Sequence, residues 1–167
     1  MMKDNSEELL PLVDDSGQVI GSATRGECHN GSHLLHPVVH IHVFNREGSL
    51  YLQKRPEWKD VQPGRWDTSV GGHIDYGETV DAALRREARE ELGLSSNLQL
   101  VPMASYVYES AVESEYINAY KTVVDVAPQP SAELDGGKFW TKSEIKAALG
   151  TGVFTPNFES EYKRFFL

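Results

Sequence analysis

Three glutamates, Glu87, Glu90 and Glu91, crowd into the run RREAREELGL. If this run is helical, Val80, Ala83 and Leu84 mark its apolar face. At 3.6 residues per turn that face continues through Glu87, Glu90 and Glu91. Carboxylates therefore take over where core residues should continue. Glu87 and Glu91 also stand four apart, where like charges repel by a few tenths of a kcal/mol. Divalent cations would relieve both problems, because hard ions such as Mg²⁺ want several oxygen ligands and neighbouring carboxylates supply them. Taken alone, EAREE is explained equally well as a solvated acidic helix face.

The elements that must hold these groups are legible in outline. Residues 79–92 form the clearest helical pattern, closed by Gly93 as the residue just past its end. Residues 10–24 read as two short extended segments around the turn Asp14-Asp15-Ser16-Gly17, and 25–37 as irregular chain. Residues 38–44 alternate with period two: Val39, Ile41 and Val43 face one way, His40 and His42 the other. A turn at 45–48 returns the chain as a strand over 50–53, and a polar loop covers 54–65. A short strand over 66–70 ends at Gly71-Gly72. Further strands are expected within 98–108, 117–126 and 138–140. Ser143 is the expected cap of a helix to Leu149, and Pro156 the start of a terminal helix to Phe166. Residues 1–8 read as a frayed tail. Many strands with few helices make an α+β plan in one domain over 1–167.

Composition narrows the function. Hydrophobic residues are 40% and charged residues 25%, an ordinary globular profile. No apolar run approaches membrane-spanning length, and the start MMKDNSEELL has no signal-peptide pattern. The single cysteine, Cys28, excludes an internal disulfide, so a reducing cytoplasm is the expected location. The formal net charge of -9 argues against broad nucleic-acid or anionic-membrane binding. An anionic substrate stays compatible with it if bound cations invert the local field.

The stretch GHIDYGETVDAALRREAREELGL, residues 72–94, resembles the Nudix signature G-x5-E-x7-R-E-U-x-E-E-x-G-U, where U is usually a bulky apolar residue. Gly72, Glu78, Arg86, Glu87, Glu90, Glu91, Gly93 and Leu94 meet it, and Ala88 departs only in being small. The resemblance implies an α/β/α sandwich with a mixed sheet and a loop–helix–loop. It implies metal ligation by Glu87, Glu90, Glu91 and the carbonyl of Gly71, with Glu78 acting through water or by pairing with Arg86. Gly72 and Gly93 are expected to permit tight turns. The expected activity is Mg²⁺-dependent hydrolysis of a diphosphate linkage, with Mn²⁺ as a substitute. The base in many members is a glutamate outside the box; Glu109, Glu113 and Glu115 are the candidates here, with Glu115 carried as the catalytic one.

The likeness extends upstream. Residues 12–94 are similar to the isopentenyl-diphosphate isomerase branch of that superfamily. His29, His36 and His73 match its upstream histidines and the His of its Cys-Gly-His, and Glu113 and Glu115 its Glu-x-Glu. Together they form a possible second site for a divalent metal suited to histidine, such as Zn²⁺, Mn²⁺ or Fe. His40 and His42 read as one face of a strand, and His33 as a loop residue. The branch's catalytic cysteine falls on Gly71, which can neither protonate nor deprotonate carbon. Within the loop before the box, Arg55, Lys59, Arg65 and Trp66 are candidates to grip phosphate or face the pocket. The alternatives are that Trp66 fills core and Lys59 pairs with Asp60. Tyr106, Tyr108, Tyr116 and Tyr120 fit base stacking or sheet packing. The resulting expectation is a hydrolase on an isomerase-like frame, acting on a small diphosphate such as a nucleoside diphosphate derivative. The alternatives are a prenyl-diphosphate isomerase or a non-catalytic diphosphate sensor. A homodimer is implied by the family only.

Overall fold

The computed structural model describes residues 5–59 and 61–167. The elements in chain order are β1 (Leu9–Val13), β2 (Val19–Thr24), α1 (Arg25–Cys28), β3 (His36–Phe44), β4 (Leu50–Lys54), β5 (Trp66–Asp67) and β6 (Val70–His73). Then follow α2 (Val80–Leu92), β7 (Val101–Glu109), β8 (Ser114–Val123), β9 (Gly137–Trp140), α3 (Lys142–Ala148) and α4 (Pro156–Phe166). β1 and β2 form an antiparallel pair. The other strands form one sheet in the order β5-β4-β3-β8-β7, with β6 paired to β3 and β9 to β4. β3 and β8 run parallel and the remaining pairs antiparallel, so the sheet is mixed.

β3 is the central strand, and helices cover both of its faces. Val39, Ile41 and Val43 pack against Ala83, Leu84, Ala88 and Leu92 of α2. Burying a leucine such as Leu84 or Leu92 is worth about 1.5–3 kcal/mol. On the other face Leu50 and Leu52 of β4 meet Trp140, Ile145, Phe154, Phe158 and Tyr162, which brings in α3 and α4. This is the α/β/α sandwich, with α+β content.

The helix ends follow their sequence. Thr79 caps α2 by accepting from the Ala82 amide, and Gly93 stops it at φ 63. The Leu94 amide then reaches back to the Ala88 carbonyl at 3.2 Å, closing the last turn. Thr155 caps α4 ahead of Pro156.

Several local expectations are corrected. Residues 25–28 are a helical turn, because Thr24 and Glu27 form a reciprocal capping box. β3 starts at His36. The expected strand at 66–70 is split into β5 and β6, and Gly71 and Gly72 lie inside β6. The cap of α3 is Thr141, whose partner Glu144 completes a second box; Ser143 lies inside the helix. Residues 5–8, expected to fray, are tied down: the Gly26 and Arg25 amides donate to the Ser6 and Glu8 carbonyls at 2.8 and 2.7 Å. Residues 1–4 lie outside the described residues. Among the described residues no helix is long and apolar enough to cross a membrane.

Candidate active site

α2 carries the glutamates onto the end of β6. Glu91 is half-buried where the helix meets the sheet; its Oε1 accepts from Gln53 Nε2 at 2.8 Å and from the Gly71 amide at 3.3 Å. One turn earlier, Glu87 lies against Gly72, where any side chain would overlap its carboxyl group. Burial, then the charge of Glu87 and the hydrogen bond between the two, push Glu91 well above the ordinary carboxylate range. Burial raises Glu87 as well. Two carboxylates this close and this dry cannot both ionise cheaply without a counter-cation. Glu90 stands further out, its side chain 54% exposed. Neither Gly71 nor Gly72 has the left-handed φ of Gly93. Gly72 was expected to serve a tight turn; its smallness instead makes room for the Glu87 carboxyl group.

Arg86 locks the preceding loop to the helix. Its guanidinium donates to both oxygens of Glu78 at 2.8 Å, to the His73 carbonyl at 3.0 Å and to Glu87 at 2.6 Å. Glu78 also accepts the Asp75 amide at 3.0 Å. The bonds from Arg86 hold the Glu78 carboxyl group below its ordinary range.

His29, His36, His73 and Glu113 form a second cluster, one ligand atom from each lying within 4.8 Å of all the others. α1, the start of β3, the end of β6 and the turn before β8 converge here. His29 and His36 reach Glu113 at 3.2 and 3.6 Å. Burial, then the charges of Arg25, His36 and His29, push His73 well below the usual imidazole range, leaving it neutral. Glu115 sits beside Glu113 in β8, where burial and then its hydrogen bond with Glu113 raise it strongly. Glu109, at the exposed end of β7, is not part of either cluster. Cys28 is fully buried, and burial followed by the charge of Glu113 pushes its thiol up to about 11. It is inert as a nucleophile in that state.

A third group lies between the sheet and α4, and the sequence had marked its histidines only as a strand face. Glu161 is fully buried. It accepts from His40 Nδ1 at 2.7 Å and from the Tyr106 hydroxyl at 3.1 Å, with His42 Nε2 at 3.3 Å. Burial opposes charge on His40, but the charge of Glu161 and its hydrogen bond, then Glu115 and Asp67, raise it to about 9.

The loop residues divide. Arg55 donates to the Val61 carbonyl and pairs with Asp67 at 3.5 Å. Arg65 reaches the Phe154 carbonyl at 3.4 Å. Trp66 packs edge-on against Trp140 within the α4-side core. Lys59 stacks over Trp58 at 4.8 Å; its expected partner Asp60 lies outside the described residues. Of the tyrosines, Tyr106 holds Glu161, Tyr108 joins a small core cluster, Tyr120 packs on the α2 side and Tyr116 lies against Gly17. Gln53, His40 and Glu161 were missed by sequence reasoning. Gln53 and Glu161 meet their partners across 38 and 121 residues, and no local signal marks such pairs.

Comparison with known proteins agrees with this fold. A family model described as a NUDIX domain matches residues 34–158. The chain is 36% identical over 140 residues to an isopentenyl-diphosphate Delta-isomerase of Serratia proteamaculans, covering 81% of this chain and 76% of that protein. It is 31% identical over 162 residues to an uncharacterized Nudix hydrolase of Streptomyces coelicolor, covering 96% and 89%. A crystal structure of a Deinococcus radiodurans protein superposes with a TM-score of 0.82 at 28% identity, covering 96% of this chain and 100% of that one.

Proposed function

The chain belongs to the Nudix hydrolase family, and from that premise we propose that it is a pyrophosphohydrolase for a small organic diphosphate, such as a nucleoside diphosphate derivative. The observation that carries the reading is the half-buried pair Glu87 and Glu91, which crowd each other beside Gly71 and Gly72. That donor set of hard oxygens fits Mg²⁺, with Mn²⁺ as a substitute. Glu87, Glu90, Glu91 and the Gly71 carbonyl would hold it. When bound, such an ion neutralises the diphosphate and lowers the pKa of water.

The chain's own residues do the rest. Gln53 and the Gly71 amide fix the Glu91 carboxylate. Arg86 and Glu78 fix the loop that leads from Gly72 and His73 into α2. Glu115, buried near His40 and Asp67, is the proton acceptor we assign outside the box. Arg55, Lys59, Arg65 and Trp66 are the residues we assign to the substrate, the three cations to its phosphates and Trp66 to the pocket wall.

His29, His36, His73 and Glu113 are the proposed ligands of a second divalent ion, with Glu115 hydrogen-bonded behind Glu113. A neutral His73 supplies the lone pair that such an ion needs. Dialysis against Zn²⁺ with excess Mg²⁺ present, followed by metal analysis, should give one tightly held Zn²⁺ ion, lost in His36→Ala.

A second reading, prenyl-diphosphate isomerisation, is favoured by the 36% identity to an isomerase. It is opposed by Gly71, which has no thiol, and by the burial of Cys28 in another part of the fold. The deciding experiment offers nucleotide sugars, dinucleotide cofactors, nucleoside di- and triphosphates and isopentenyl diphosphate with Mg²⁺ or Mn²⁺. Hydrolysis of one class, lost in Glu91→Gln, establishes the proposal. Isomer formation from isopentenyl diphosphate replaces it with the second reading, and binding without turnover replaces it with a sensor.

A further inference from the structure

His40 is held like a working side chain although it lies outside the Nudix box. Its Nδ1 is committed to Glu161 at 2.7 Å. Glu161 is itself fixed by the Tyr106 hydroxyl at 3.1 Å and sealed from solvent under α4. Three distant elements therefore converge to set the rotation of one imidazole ring. Its Nε2 makes no hydrogen bond among the described residues, yet it is not sealed off as both nitrogens of His42 are.

That free nitrogen lies next to Gly71. β3 and β6 pair His40 with Gly71 directly. A Cβ on Gly71 would lie 3.4 Å from His40 Cδ2 and 3.7 Å from Nε2, which is ordinary contact. Neither space nor backbone conformation therefore demands glycine at this position. What glycine does here is keep a side chain off the Nε2 edge of the otherwise buried His40 ring. The same residue donates its amide to Glu91, so the uncovered ring edge borders the proposed metal-binding end of β6.

We propose that His40, positioned by Glu161, presents Nε2 past Gly71 to a phosphate oxygen of the substrate. His40 is then a substrate-contacting residue, and Glu161 a positioning residue that acts through it. The inference rests on the diphosphate reading above. A ring held between the Glu161 carboxylate on Nδ1 and a phosphate oxygen on Nε2 carries a proton on each nitrogen, so Nε2 donates to the anion.

The test uses the full chain, methylenediphosphonate with Mg²⁺ as a non-hydrolysable probe, and ¹⁵N spectra of the imidazole rings, with the His40 signals assigned by their loss in His40→Gln. The Nε2 signal of His40 should move on adding the probe. Probe affinity should fall about tenfold or more in His40→Gln and in Gly71→Ala, which covers the ring without touching its bond to Glu161. Glu161→Ala should weaken binding likewise, and Glu161→Gln, which keeps an acceptor for Nδ1–H but removes the charge that favours a doubly protonated ring, should restore only part of it. If His40→Gln does not fold, Gly71→Ala and the wild-type ring signal still decide. An unmoved Nε2 signal with unchanged affinity in Gly71→Ala overturns the inference. If substrate hydrolysis still depends on Glu91 in that case, the Nudix reading survives alone. If the probe does not bind and no substrate is hydrolysed, both fall.

Discussion

Gly72 has a role distinct from its neighbour's, and the difference is testable at one methyl group. Its missing side chain is replaced by the Glu87 carboxyl group, so that strand and helix meet with no gap. Gly72→Ala must push Glu87 away from the end of β6 or tilt α2. We expect metal-dependent turnover to fall about 10–100-fold, the usual cost of disturbing the support of a metal ligand. Circular dichroism should show the secondary structure intact. An alanine variant with wild-type rate and wild-type Mg²⁺ requirement would remove Glu87 from the ligand set. Glu87, Glu90 and Glu91 were legible in the sequence because they break the apolar face of their own helix and sit in a spaced signature. Gln53, His40 and Glu161 were not. Each is an unremarkable polar residue locally, and its meaning comes from a partner brought close by tertiary packing.

The box helix α2 and the loop before it behave as one unit because Arg86 ties them together. That side chain is 21% exposed and faces Glu78, Glu87 and the His73 carbonyl at once. Arg86→Ala leaves two largely buried carboxylates short of donors, at a cost of about 2–3 kcal/mol. For a chain of this size the melting temperature should drop by about 5–10 °C. Glu78→Gln keeps a weaker acceptor and should drop it by less. Equal melting temperatures for wild type and Arg86→Ala in metal-free buffer would contradict the clamp. The strong elements were readable: α2 from its period, cap and closing glycine, and β3 from its alternation. The weak ones were not, for a physical reason. Thr24–Glu27 and Thr141–Glu144 are capping boxes of helices of 4 and 7 residues, too short to show a hydrophobic period. The short β5 and β6 are set by pairing with β4 and β3, not by their own composition.

Charge is the property of the whole molecule that the site inherits. The chain carries a net -9, and its carboxyl groups crowd in two pairs, Glu87 with Glu91 and Glu113 with Glu115. Glu91 and Glu115 sit above their ordinary 4.5, first because of burial and then because of Glu87 and Glu113. A carboxyl group raised on folding stabilises the fold below its unfolded value, and that stability is lost as pH rises through the folded value. His40 acts in the same direction: its contribution is complete below 6.5 and is lost as pH rises through about 9. Glu161 and Glu113, held below 4.5 by their histidine partners, contribute in the opposite sense, and their share is lost only on acidification. From about pH 6.5 to 9.5 the metal-free protein should therefore lose thermal stability. Saturating Mg²⁺ should oppose this, because it favours the ionised form of Glu91. At 100 times its dissociation constant it adds about 2.7 kcal/mol, or about 5–10 °C. Thermal melts in EDTA and in Mg²⁺ across that range decide the matter. The gap between the two curves should widen toward alkaline pH in wild type and shrink in Glu91→Gln, while His40→Gln should flatten the alkaline slope of the EDTA curve. A metal-free melting temperature that rises with pH over this interval would mean that the buried carboxyl groups are not crowded as the fold places them, and the case for a cation between Glu87 and Glu91 would lose its physical basis.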